Sequence, residues 1–137
     1  TMRMGVYKRT GSFNGIPLNQ LPFAVPQEVF STNPLGIKDR DGWPDGLLQR
    51  KVKLRTNLLS TALDFVSNGH CAIFIPDFVA HNFNKAVLPE NRLSPVSIPT
   101  KLGVLERKVY LVTRLAAHED RAVKKLAAAI RKFIKYV

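Results

Sequence analysis

The sequence holds one cysteine, Cys71, and three histidines, His70, His81 and His118, among 137 residues. A lone thiol cannot close an internal disulfide, and neither CxxC nor HxxxH spacing is present to hold a structural zinc ion. No metal and no cofactor is therefore expected, and the sparing use of cysteine fits a reducing compartment. No apolar run reaches the roughly eighteen residues of a membrane span, and no signal-length apolar segment follows Thr1–Gly5. A cytoplasmic chain without membrane contact is expected, although Thr1-Met2 reads as readily as an internal cut as a natural start. The eight glycines are scattered through turns, so a dinucleotide or P-loop phosphate site has no support. Acidic residues are also few, 10 against 21 Lys and Arg, which leaves a formal charge of +11 and brings a polyanionic partner into consideration.

With 45% hydrophobic residues the chain can bury a core, and its length suits one domain. Arg3–Tyr7 reads as an opening strand and Leu21–Pro26, four apolar residues between prolines, as a short buried one. Gln27–Gly46 is rich in breakers and reads as a long surface loop, in which Lys38–Asp41 is a solvated, self-compensating charge cluster. Arg50–Arg55 alternates charge with Val52 and Leu54, the period of an edge strand with one buried face. Thr56-Asn57 can cap a following helix whose stripe is Leu58, Leu59, Ala62, Leu63, Phe65 and Val66 and whose stop is Gly69. Cys71–Ile75, closed by Pro76, reads as a strand buried on both faces. A short helix capped by Asp77, a strand near Leu93–Ile98 and a strand over Val109–Thr113 follow. The last predicted helix runs from about His118 to the end, with a stripe of Val123, Leu126, Ala127, Ile130, Phe133, Ile134 and Val137.

Few side chains point to chemistry. The cationic face of the last helix, and Arg50, Lys51, Lys53 and Arg55, read either as solvated faces or as a nucleic-acid contact, but no aromatics are interleaved as in single-strand binders. Cys71 lies in the most apolar strand and is read as core rather than as a nucleophile, and no carboxylate pair suggests acid–base work. Trp43 reads as a pin holding its loop to the core. Strand ends are more informative: Gln27 and Glu28, Thr56 and Asn57, and Asp77 each follow a strand. If those three strands are parallel neighbours, the residues converge on one rim, where ligands of open α/β sheets bind. The alternative, in which Thr56, Asn57 and Asp77 only cap helices, stays open.

The run from Val52 to Pro76, a strand, a capped helix ending in glycine and an apolar strand ending in proline, resembles the second lobe of the effector-binding domain of LysR-type transcriptional regulators. Arg3–Tyr7 resembles the first cross-over strand, Arg107–Thr113 the returning one, and the last helix the family's closing helix. The resemblance implies an α/β fold of type 2 periplasmic-binding-protein-like form: residues 10–105 as the second lobe, with 1–9 and 106–137 as cross-over strands and closing helix. It implies no enzymatic activity and a small-molecule effector, anionic on the charge balance, at Pro26, Gln27, Glu28, Thr56, Asn57, Pro76 and Asp77. DNA contact would come from a winged helix-turn-helix absent from these residues, as most of the first lobe is. Self-association through Ile130, Phe133, Ile134 and Val137 is expected, because the closing helix would lack its lobe. A solute-binding lobe of a transport receptor and a small basic nucleic-acid-binding protein are the rival readings.

Overall fold

The computed structural model describes residues 1–27, 41–110 and 121–134. The chain forms two compact units, residues 1–107 and 108–137. The first is a mixed α/β body with strands β1 (Met2–Arg9), β2 (Pro22–Pro26), β3 (Lys51–Thr56), β4 (Ala72–Pro76), β5 (Leu93–Val96) and β6 (Glu106–Arg107), and helices α1 (Leu59–Ser67) and α2 (Asp77–Ala86). The second contains α3 (Arg121–Ile134), on which Val123, Leu126, Ala127 and Ile130 follow helical spacing. No helix among the described residues is long and apolar enough to cross a membrane.

The strand order is β3-β2-β4-β1-β5, with β6 also paired to β1. The strands β3, β2 and β4 are parallel neighbours, while β1 runs antiparallel to β4 on one side and to β5 on the other. Because β1 is reversed, its first residues lie at the carboxyl end of β4, with Met4 opposite Pro76. On its outer side Met4 N–H donates to the Leu105 carbonyl and, just past the strand, Thr10 N–H donates to that of Arg92, both at 2.8 Å. Strand β1 thus stands between β4 and β5 within the sheet.

Two cores close the two faces. Under α1 and α2 lie Ala24, Ala62, Leu63, Val66, Cys71, Ile73 and Ile75. On the other face Met4, Val6, Phe23, Val25 and Phe74 pack beneath Trp43, which is 1% exposed. Both faces of β2 and β4 are covered, which is why these strands read as unbroken apolar runs. Strand β3 stands at the sheet edge, and Val52 remains 40% exposed instead of buried, because an edge strand is covered only in part.

The helix ends show what local sequence controls. Helix α1 stops in a Schellman motif: Gly69 at φ 78° donates to the Val66 carbonyl and His70 to that of Phe65. Its start differs from expectation, since Leu58 and not Thr56 or Asn57 is the N-cap residue. Thr56 Oγ1 instead accepts the Leu58 N–H at 3.1 Å, closing the turn one residue ahead of the cap. Ala62, Leu63 and Val66 reach the core, whereas Leu58, Leu59 and Phe65 are exposed, because a nine-residue helix lying on a sheet buries a narrower stripe than the spacing offered. Asp77 likewise does not cap α2. It sits inside the first turn, Pro76 is the N-cap residue, and the Asp77 carboxylate turns to Tyr7. At the other end of α2, the Asn84 side-chain amide exchanges two 2.8 Å bonds with the backbone of Leu93 and ties the helix to β5.

Two further expectations need correction. Asp41 is buried at 9% exposure, not solvated, because it ion-pairs with Arg50. Val109 and Tyr110 are outside any strand and exposed; the rest of the strand expected over Val109–Thr113 lies outside the described residues, as do Lys38–Arg40, His118 and Val137.

Candidate functional site

Three parallel strands in the order β3-β2-β4 send their connections apart from the middle of the sheet. From β2 the chain goes on to β3 on one side, and from β4 it goes on toward β5 on the other. Ligands of open α/β sheets bind at such a switch point, outside the carboxyl ends of the strands. A cavity of about 260 Å³ lies there. Pro26, Thr56, Asn57 and Pro76 line it, together with Met2 and Met4 from the reversed strand, Leu58 at the cap of α1, and Leu59 and Ala62 within that helix.

The remaining candidates lie elsewhere. Gln27 does not line the cavity; its N–H donates to the Thr56 carbonyl at 3.3 Å and so extends the β2–β3 ladder by one rung. Asp77, one residue past Pro76, faces the outer side of β1, where Tyr7 Oη donates to its Oδ1 at 2.9 Å. Burial first, and the Asp77 hydrogen bond second, push the Tyr7 phenol up to about 12, so it stays a neutral donor. Glu28 lies outside the described residues.

Two polar residues of the cavity were not singled out by sequence. Asp41 reaches it from the loop covering the Trp43 face, and Arg107 from β6. Asp41 is not a free anion. Arg50, its side chain 6% exposed, ion-pairs with Asp41 and at 2.8 Å with Asp45, and its guanidinium lies 5.3 Å from the Trp43 ring centre. Burial alone would lower the Arg50 pKa, but the bonds to Asp45 and Asp41 outweigh it and hold it above its ordinary value. Arg107, by contrast, is exposed and makes no ion pair among the described residues. Asp41 is screened in sequence by its charged neighbours, and Arg107 enters only through the β6–β1 pairing, Met2 opposite Arg107.

The chemistry of the cavity follows. Its walls are mostly aliphatic side chains and methionine thioethers, which suits an apolar body and adapts to its shape. The first-turn amides of Leu59, Ser60 and Thr61 precede the first bond within α1, from Ala62 N–H to the Leu58 carbonyl, and therefore have no acceptor in the helix. These amides at the β3 side and Arg107 at the β1 side each add positive potential to the cavity's surroundings. Lys51, Lys53 and Arg55 are exposed along β3, where edge charges oppose pairing with a further strand. The Cys71 thiol is fully buried and pushed up to about 11 by that burial, so it remains protonated and inert. No group of three metal-ligating side chains occurs among the described residues. No family model, no curated protein and no solved structure matches the chain.

Proposed function

We propose that the chain is a ligand-sensing regulatory fragment of a LysR-type transcriptional regulator, with one type 2 periplasmic-binding-protein-like lobe that holds a small anionic effector. The observation that carries this reading is the cavity at the carboxyl ends of β2, β3 and β4, where Pro26, Thr56, Asn57 and Pro76 meet. A mixed sheet with one reversed strand beside three parallel ones is compatible with such a lobe. The effector's apolar part would lie on Met2, Met4 and Leu59, and its anionic end would face Arg107. The lobe would act by changing how a winged helix-turn-helix outside these residues meets DNA, in a cytoplasmic protein that associates through the apolar stripe of its last helix.

A thermal-shift series with straight-chain monocarboxylates of about three to eight carbons tests it, because a ligand stabilises only the state that binds it. A rise of several degrees that peaks at one chain length and is lost in Arg107→Gln is expected. Stabilisation by duplex DNA alone, falling steeply between two salt concentrations, would instead mean that the +11 charge is what the chain uses and would remove the sensor reading.

A further inference from the structure

Helix α3 separates its side chains by kind. At about 100° per residue, Arg121, Lys124, Lys125, Arg131 and Lys132 fall within an arc of about 120°, and Val123, Leu126, Ala127 and Ile130 within one of about 100° on the opposite side. No acidic residue occurs over Arg121–Ile134. All five cations are exposed, and none pairs with a carboxylate among the described residues. The apolar arc is not sealed either: Val123 is 46% and Leu126 62% exposed, and only Ala127, the smallest of the four, is buried.

On a solvated helix, interspersed acidic residues ordinarily relieve the repulsion among cations, and an apolar stripe is ordinarily buried. Neither holds for α3, so its partner must meet both arcs. A second copy would cover the stripe yet bring two uncompensated cationic faces together. A nucleic acid would neutralise the cations yet leave Val123 and Leu126 in water. An anionic bilayer surface satisfies both: apolar side chains enter the boundary between headgroups and acyl chains, while lysines and arginines beside them reach lipid phosphates. A helix lying flat needs none of the length of a span.

We propose that α3 docks in the plane of an anionic membrane surface, with Val123, Leu126 and Ile130 in the apolar boundary and its five cations among the lipid phosphates. The contact goes beyond the sensor reading and does not rest on it. The bilayer would take the stripe that a second copy takes in that reading.

Co-sedimentation of the 137-residue chain with vesicles of phosphatidylcholine alone, and of equal parts phosphatidylcholine and phosphatidylglycerol, tests it. Saturable binding to the anionic vesicles only is expected. A cation near such a surface is worth about fivefold in partitioning, so Lys124→Gln together with Lys132→Gln should weaken binding at least about tenfold. Leu126→Gln should also weaken it at least about tenfold, since an apolar side chain is withdrawn from the boundary. Its exposure and the helix propensity of glutamine leave the unbound fold intact. Lys51→Gln together with Lys53→Gln, the same charge change on β3, should alter binding by no more than about twofold, because attraction to the surface fades within a Debye length. No sedimentation with anionic vesicles, equal sedimentation with neutral ones, an equal loss from the β3 pair, or binding indifferent to Leu126→Gln would each overturn the assignment. Duplex DNA bound through Lys124 and Lys132, without vesicle binding, would give the face to nucleic acid instead.

Discussion

The two faces of the sheet are closed by different means. One lies under α1 and α2 and consists of small and aliphatic side chains, Ala24, Ala62, Val66 and Ile73 among them. The other lies under an irregular segment and is held by aromatic rings and a buried cation. Trp43 meets Phe74 edge-on at 5.0 Å and Phe23 at 5.5 Å, and its Nε1 donates to the Leu48 carbonyl at 2.7 Å. A helix satisfies its own backbone and needs only an apolar stripe to cover a sheet. An irregular segment has no such ladder, so side chains supply polar partners, Asp41 for the Trp43 N–H and Trp43 for the Leu48 carbonyl, with Arg50 neutralising Asp41. The cavity at the rim draws on both kinds of cover, α1 from one and Asp41 from the other.

The largest test of this contrast is Arg50→Ala. It leaves Asp41 buried without its cation and removes the charge over Trp43, so a loss of about 3–5 kcal/mol in urea denaturation is expected. Val66→Ala, on the helix-covered face, should cost about 2 kcal/mol, the transfer of two methyl groups plus a small cavity. A smaller loss for Arg50→Ala than for Val66→Ala would mean that the ion cluster does not anchor its face.

Alkali should act on the helix-covered face first. Folding raises Cys71 from its ordinary 9.0 to about 11 and Tyr7 from 10.0 to about 12, so the folded state holds these protons more tightly than the unfolded one. Their contribution to stability is complete below pH 9 and is lost as pH rises from 9 toward 12. The urea midpoint should therefore fall across that range, and Cys71→Ala should flatten the early part of the fall. The smallest effect is expected at Leu58, 64% exposed at the cavity edge: Leu58→Ala, which adds no capping oxygen, should change stability by no more than about 0.5 kcal/mol. A larger loss would place Leu58 within the core, contrary to its exposure.

The same contrast explains what could be read from sequence. Cys71–Pro76, Leu21–Pro26 and the Gly69 stop were legible because burial on two faces and a left-handed C-terminal residue leave local marks. Thr56 could be assigned to the rim because it ends its strand, and Pro26 and Pro76 through the family resemblance. Trp43 could be read as a pin, yet nothing local joins Asp41 to Arg50 nine residues away, and the charged run around Asp41 reads as solvated. Asp77 misled for a related reason: an acidic residue after a proline has the form of a cap, while its partner Tyr7 is 70 residues away. Long-range polar pairs carry no periodicity, so they emerge only once the topology is known.

The most direct measurement is an amide shift map of the chain titrated with hexanoate, a probe with an apolar body and one carboxylate. Occupation of the cavity at the switch point predicts saturable shifts at Val25, Thr56, Asn57, Leu58, Leu59 and Ile75, the residues that line it. Shifts absent from these amides, or gathered instead along the basic edge residues Lys51–Arg55 without saturation, would contradict a ligand site at the carboxyl rim.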